Sequence, residues 1–330
     1  MIISRAPFRI SFFGGGTDYP VWFREHEGAV LATTINKYCY ISVRYLPPFF
    51  DYKSRIVWSK IESVKNFDEI EHSAVRATLK YLNVTKGVSL HHDADLPARS
   101  GVGSSSTFTV GLLQALHGLQ GRMVTKQKLA AEAIHIEQYL LKENVGCQDQ
   151  VIAVHGGLNR INFCGDDNTN VTPIILSQER LELLQSHLML FFTGLSRTAS
   201  EIAKKQIETT KNKKRELQIM YGMVGESIKI LQNSNDLIPF GQLLHESWKI
   251  KRELTDKITN PHIDELYETA RKAGAIGGKL LGAGGGGFML VFAKPEYQKN
   301  IRENLSHLLH VPFSFENMGS QIVYYQPTND

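Results

Sequence analysis

The stretch Pro97-Ala-Arg-Ser-Gly-Val-Gly-Ser-Ser-Ser-Thr107 runs directly into a long apolar segment that reads as a helix over 104–119. Gly101 and Gly103 let the backbone approach a ligand closely. A helix that opens on Ser104, Ser105 and Ser106 presents free N–H groups and the positive end of its dipole to an anion. This is the design of a phosphate cradle. It is not the Gly-x-x-x-x-Gly-Lys-Ser/Thr loop, because no lysine follows the second glycine where that motif requires one. Taken alone, the same residues also describe a plain capped helix after a turn.

Outward from this loop the chain mixes strands and helices without strict alternation, which indicates an α+β fold. Upstream, 2–13 reads as a strand interrupted by Pro7, and 29–45 as one or two strands. Residues 55–60 and 88–92 alternate like strands, and 70–82 has helical spacing. Downstream, 125–142 reads as one helix capped by Thr125, followed by a short helical stretch over 146–155. The polar run Gly-Asp-Asp-Asn-Thr-Asn at 165–170, with Pro173 beyond it, suggests a turn and a boundary between 166 and 182. Strands are expected at 188–192, 288–293 and 321–325, with helices at 200–232, 240–254, 261–273 and 297–309. A chain of 330 residues suggests two domains, placed here at 1–180 and 181–330.

Three further clusters carry chemistry. In Leu281-Gly-Ala-Gly-Gly-Gly-Gly287, Gly282, Gly284 and Gly287 satisfy Gly-x-Gly-x-x-Gly in spelling. A dinucleotide site needs a strand before and a helix after, whereas here a helix is expected before and a strand after. The protein-kinase reading fails because neither His-Arg-Asp nor Asp-Phe-Gly occurs. What remains is a flexible loop at a polyanion or a tight helix-to-strand connection. Four successive glycines cost more entropy than a turn alone requires. In Arg5-Ala-Pro-Phe-Arg-Ile-Ser-Phe-Phe-Gly-Gly-Gly-Thr-Asp18, a strand ends in glycines and then offers Thr17 and Asp18. Such an aspartate is often a turn former, but in a cleft it accepts hydrogen bonds from sugar hydroxyls. In Gly146-Cys-Gln-Asp-Gln150, Asp149 by itself reads as an ordinary helix-starting carboxylate.

Composition excludes several classes. The net charge of +4 is too mild for a nucleic-acid binder, yet suits anionic ligands. Three scattered cysteines without a Cys-x-x-Cys pair argue against a disulfide framework or structural zinc, and for a reducing, cytoplasmic location. His91 and His92 sit near Asp93 and Asp95, but adjacent strand residues face opposite ways and do not converge on a metal. No apolar run is long enough to cross a membrane, and the start Met-Ile-Ile-Ser-Arg-Ala-Pro lacks the pattern of a signal peptide. Oligomeric state is not legible.

Together these motifs resemble the GHMP small-molecule kinases, the superfamily of galactokinase, homoserine kinase, mevalonate kinase and phosphomevalonate kinase. APFRISFFGGGTDYP (6–20), PARSGVGSSST (97–107) and KLLGAGGGGF (279–288) look like the family's three motifs, in order. APFRISFFGGGTD with GAVLATTINKY (28–38) and FFTGLSRTASEI (191–202) is similar to the D-glycero-D-manno-heptose 7-phosphate kinases; fucokinase domains look similar too. The resemblance implies a two-domain fold: an N-terminal domain with a left-handed βαβ unit, a ferredoxin-like C-terminal domain, and an active site between them. It implies ATP and Mg²⁺ as cofactors and a sugar phosphate as partner. Gly101, Val102, Gly103, Ser104, Ser105, Ser106, Gly282, Gly284 and Gly285 would meet the ATP phosphates, and Glu137 and Ser105 the magnesium. Asp149 would be the base, supported by Arg9. Gly15, Gly16, Thr17 and Asp18 would meet the sugar, and Ser196 and Arg197 its phosphate. Lys37, Arg44, Arg99 and Arg160 are the next cations available for that phosphate, and the plain alternative is that Arg197 only covers a helix. Gly15 and Gly16 stand where galactokinases carry Glu and His, which disfavours galactose, and Ser106 replaces the usual Ala. A non-catalytic sugar sensor and a phosphorylating decarboxylase are the rival functions on this fold. Retention of Arg9, Glu137 and Asp149 speaks against the first, and the sugar-type opening motif against the second.

Overall fold

The computed structural model describes residues 1–165, 168–194, 199–233 and 236–327. Two sheets organise them. The first is built from β1 (Ile2–Phe13), β2 (Gly28–Tyr45), β3 (Ser54–Val57), β4 (Ile61–Val64), β5 (Val88–Ala94), β6 (Leu158–Cys164) and β7 (Asn168–Pro173). Strand β2 is one continuous 18-residue strand. Its first eight residues, paired with β6 and β1, are all buried; farther on, where β1 and β5 pair with it, burial becomes interrupted. Pro7 is absorbed within β1, where the register with β2 shifts between Pro7 and Arg9.

Short helix α1 (Pro20–Phe23) follows β1, and α2 (Ser73–Tyr81) lies in the connection to β5, which runs parallel to β3. Helix α3 (Ser104–Leu119) lies across β1 and β2. Its Gly118 allows a close approach to β1, since a Cβ there would stand 3.2 Å from Ile2, and the Gly111 carbonyl accepts the Ser4 hydroxyl at 2.6 Å. The helix that follows the 97–103 loop is thereby fixed to the sheet that carries Arg9.

The single helix expected over 125–142 is instead α4 (Lys126–Ile134) continued by a π-helical turn, His135–Leu140. Such widened turns often mark functional sites. Helix α5 (Gln148–His155) follows. The polar segment expected to be a domain boundary contains β7, paired along β6. Pairing with β6 outweighs the weak strand propensity of Asn-Thr-Asn there.

Helix α6 (Gln178–Ser186) leads to the second sheet: β8 (Leu188–Phe192), β9 (Gly277–Leu280), β10 (Phe288–Phe292) and β11 (Leu309–His310). Helices α7 (Ala199–Thr209), α8 (Lys214–Gln232), α9 (Ile238–Arg252) and α10 (Pro261–Lys272) connect β8 to β9, and α11 (Pro295–Asn304) connects β10 to β11. The order β11-β8-β10-β9, antiparallel throughout, is the ferredoxin-like arrangement. The helix expected over 200–232 is broken between α7 and α8 by a 3₁₀ turn, Thr210–Asn212. The glycine run 281–287 connects two strands, β9 and β10, rather than a helix and a strand. The chain then returns to the first sheet, where β12 (Phe315–Glu316) pairs with β2 and β13 (Gln321–Tyr325) with β1. Residues beyond 310 thus serve the first sheet although they follow the second in sequence.

The two sheets are joined by a buried aromatic cluster. Phe12 and Phe13 at the end of β1 meet Phe240 of α9 edge-on at 5.6 and 5.2 Å, and Phe240 reaches Phe292 of β10 at 5.9 Å. Such pairs contribute about 0.5–1.5 kcal/mol each beyond their buried area. No helix among the described residues is long and apolar enough to cross a membrane.

Candidate active site

A cleft of about 480 Å³ opens beside this junction. Residues from 9–19, 99–106, 143–149 and 200–206 line it, with Lys251, Lys279, Gly282 and Ala283.

At its centre Arg9 and Asp149 form a bidentate pair. Nε donates to Oδ1 at 2.7 Å and Nη2 to Oδ2 at 2.8 Å, while Nη1 donates to the Gly101 carbonyl at 2.6 Å. A fork-to-fork pair of this kind fixes orientation as well as charge. Arg9 is 3% exposed and Asp149 24%, so the carboxylate is the member open to a ligand. Each carboxylate oxygen has a lone pair beyond the one that Arg9 occupies.

The loop over 97–103 wraps this pair. Gly103 has φ +77°, and a Cβ there would stand 3.2 Å from Asp149 Cγ and 3.4 Å from Arg9 Cγ. Only glycine takes this backbone so close to the pair without strain. Arg99 also has positive φ, and its N–H donates to Ser104 Oγ at 3.1 Å. Helix α3 begins at Gly103 with neither a side-chain cap nor an acidic residue in its first turn, leaving its N-terminal dipole uncompensated. Gly101, Gly103, Ser104, Ser105 and Ser106 all line the cleft. Val102 is fully buried, and its carbonyl accepts the Arg9 N–H. The second glycine loop braces the first: Phe288 N–H donates to Ser100 O at 2.9 Å, and Gly101 lies against Leu281 and Gly282. Gly282 faces the cleft, whereas Gly284 and Gly285 are outside its lining and lie at Ile258.

Asp18 lies deeper. Its oxygens accept Gly16 N–H and Gln148 Nε2, both at 2.9 Å. Burial, above all, raises its pKa, and the Asp149 charge adds to this against the lowering effect of its hydrogen bonds. Gly15, Gly16 and Asp18 line the cleft as expected. Thr17 does not: it is fully buried, and its hydroxyl shares its one proton between the Gly14 and Ala29 carbonyls and accepts Ala29 N–H. It holds the turn and makes no approach to a ligand. Ser196 and Arg197 lie outside the described residues. Of the alternative cations, Arg99 lines the cleft, and Lys37, Arg44 and Arg160 do not.

Glu137 sits in the π-helical turn behind α3. It is fully buried, accepting from Ser106 Oγ at 2.7 Å, from Thr109 Oγ1 at 2.9 Å and from Gln150 Nε2. Burial pushes its carboxyl up to about 7. Among the described residues no cation pairs with it. A buried carboxylate compensated only by neutral donors, one hydroxyl away from the phosphate loop, suits a hard cation with oxygen ligands. The carboxylate is an oxygen ligand of the kind Mg²⁺ takes, with Ser106 between Glu137 and the cleft.

Sequence reasoning missed Tyr19, Glu143, Gln148, Gln206, Lys251 and Lys279 in this lining. Lys251 left a signal: on α9 it continues the buried stripe of Leu244 and Trp248 at helical spacing. Lys279 is a lone charge in a short strand whose four residues are all buried.

Family models for the N-terminal domain of GHMP kinases and for the GHMP kinase C-terminal region match residues 69–157 and 227–310, together just over half of the chain. The D-glycero-alpha-D-manno-heptose 7-phosphate kinase of Campylobacter jejuni is 27% identical over 314 residues, 91% of either chain. The L-fucokinase/L-fucose-1-P guanylyltransferase of Bacteroides fragilis is 27% identical over 346 residues, covering 93% of this chain and 36% of that protein. Among solved structures, a D-glycero-D-manno-heptose 1-phosphate kinase from Bacteroides thetaiotaomicron superposes with a TM-score of 0.79 at 23% identity, covering 98% of this chain and 99% of the other. Lactococcus lactis galactokinase in complex with galactose superposes at 0.74 with 18% identity, covering 97% and 94%. The chain belongs to the GHMP kinases and is a phosphotransferase of that family.

Proposed function

We propose that this kinase transfers the γ-phosphate of ATP to the anomeric C1 hydroxyl of D-glycero-D-manno-heptose 7-phosphate. The product is the 1,7-bisphosphate that feeds nucleotide-activated heptose and surface polysaccharide. The observation that carries the reaction type is the bidentate Arg9–Asp149 pair facing the uncapped start of α3. The heptose assignment is supported by the 27% identity with the Campylobacter enzyme over nearly its full length. We further assign 1–180 to the phosphate-loop domain and 181–330 to the C-terminal domain, working in the cytoplasm.

In this reading Asp149 orients the acceptor hydroxyl and takes its proton, through the lone pairs that Arg9 leaves open. Arg9 holds the carboxylate in a fixed orientation and stabilises charge that develops beside it. Gly101, Gly103 and Ser104–Ser106 hold the β- and γ-phosphates at the helix N-terminus, with Gly282 closing the loop from the other side. Glu137 and Ser105 would hold Mg²⁺, which would supply positive charge to the phosphates. Gly15, Gly16 and Asp18 position the sugar. Catalysis is then mainly alignment plus charge stabilisation.

ADP release measured over a panel of sugars and sugar phosphates tests the assignment. Heptose 7-phosphate should exceed unphosphorylated heptose in kcat/KM by at least about a hundredfold, the scale of losing a charge-assisted contact. Equal values would replace it with a sugar-1-kinase of an unphosphorylated sugar, the activity named first for the Bacteroides fragilis relative. Binding of sugar without turnover would indicate a sensor.

A further inference from the structure

Two buried ammonium groups meet at the floor of the cleft. Lys279 of β9 is 2% exposed, and its Nζ donates to the Phe12 carbonyl at 2.9 Å. Lys251 of α9 is 6% exposed and donates to the carbonyls of Gly282 at 2.5 Å and Leu280 at 3.3 Å. Among the described residues neither forms an ion pair with a carboxylate. The acidic groups nearby have other partners: Asp149 is held by Arg9, and Asp18 by Gly16 N–H and Gln148.

With every group ionised, Arg9, Lys251 and Lys279 outnumber Asp18 and Asp149 by one positive charge. Burial depresses both lysines, Lys251 to about 8 and Lys279 well below its usual value, and neighbouring cations add to the effect. A buried charge without a counter-charge is costly, and a pair facing a ligand cleft is relieved when an anion enters.

A second observation points the same way. Ser11 is 5% exposed, lines the cleft, and its hydroxyl has no hydrogen-bond partner. The residues around it decide which anion belongs here. The nucleotide phosphates have the α3 N-terminus and its serines. Ser11, Phe12, Gly15 and Gly16 belong to the end of β1 and the turn after it, the side that the sugar would occupy.

We propose that Lys279 and Lys251, with the Ser11 hydroxyl, form a buried seat for a phosphate that the acceptor already carries before transfer. The seat rests on the sugar-kinase reading for its ligand class. It relocates the acceptor phosphate from the Ser196–Arg197 segment to the junction of the two sheets. Lysine suits it as a compact point charge with three donors, of which Lys279 spends one on the protein.

The experiment compares wild type, K279M, K251M and R197A with heptose 7-phosphate and unphosphorylated heptose, and reads the ratio of the two kcat/KM values. K279M should lower that ratio at least tenfold and K251M severalfold, while R197A shifts it less than either. An equal loss on both acceptors would overturn the seat and assign the lysines to the transferred phosphoryl group. A ratio lost in R197A but kept in K279M would return the phosphate to the other segment. Calorimetry without nucleotide, using heptose 7-phosphate and inorganic phosphate as probes, separates the two proposals. If no sugar is turned over but phosphate binding still depends on Lys279, the kinase assignment fails and the seat stands. If wild type binds neither probe without nucleotide, the seat fails, whatever the kinetics. Thermal melts of K279M establish whether it is folded, and S11A, expected to weaken phosphate binding severalfold, serves if it is not.

Discussion

The loop over 97–107 and the cleft floor both present positive charge to the cleft, but by opposite means. The loop over 97–107 is local: neighbouring residues supply the turn, the free N–H groups and the helix that aims them. The floor is assembled from Arg9, Asp18, Lys251 and Lys279, which lie on β1, the turn after it, α9 and β9. The loop holds charge through a backbone dipole that water screens easily. The floor holds full charges away from water, where each partner matters more. Losses should therefore be larger and more selective at the floor and its Asp149 pair than behind the loop.

Asp149→Asn tests the largest of these effects. Losing the base acts on the transition state, so kcat should fall at least about a hundredfold with little change in sugar binding. Asparagine also gives up the charge opposite Arg9, so a sugar binding measurement must accompany the rates. Turnover at the wild-type level would remove Asp149 from the chemistry and leave the pair a purely structural clamp.

Glu137→Gln addresses the loop side, and about a tenfold rise in the KM for MgATP is expected, with the sugar KM within about twofold. The half-saturating Mg²⁺ concentration should rise in parallel. A loss of rate and melting temperature without that rise would make Glu137 only an anchor for Ser106, Thr109 and Gln150. A rise confined to the sugar KM would place it in the wrong half of the site.

The same contrast explains what was legible in the sequence. Gly101, Gly103 and the serines were readable because their chemistry and their geometry share one stretch of chain. The helix over Ser104–Leu119 coincides with its apolar run. β9 was not readable, because Gly-Gly-Lys-Leu has little strand propensity and becomes a strand only by pairing with β10. For the same reason nothing local marks Lys279 as buried, and the glycine run after it has the spelling of a helix-to-strand connection. Thr17 was misassigned because a motif gives proximity but not direction: one turn sends Asp18 toward the cleft and Thr17 into the core. The π-helical turn that carries Glu137 has the same apolar spacing as the α-helix before it, so nothing in the sequence distinguishes them.

The smallest effect is a pH dependence, and it separates the floor from the loop without any substitution. Lys251 faces Arg9 of β1, Lys279 of β9, Asp18, and Asp149 of α5. Burial first, and Arg9 next, bring its ammonium down to about 8, against 10.5 in an unfolded chain. Below pH 8 it is charged in both states, and the folded protein bears the cost of burying it. Between 8 and 10.5 the folded state has released a proton that the unfolded state still binds, so stability rises with pH there, by up to about 3 kcal/mol. Lys251→Met should remove its share of that rise in urea unfolding measured across the interval, leaving the share that Lys279 contributes. Function moves the opposite way, because the seat loses a cation as pH passes 8. The ratio of kcat/KM for phosphorylated over unphosphorylated acceptor should fall severalfold between pH 7 and 9, since kcat/KM reports groups on the free enzyme. Contacts at the loop act on both acceptors alike and cancel in that ratio. A ratio that stays flat over the interval would remove Lys251 from the seat and leave Lys279 and Ser11 to hold the phosphate.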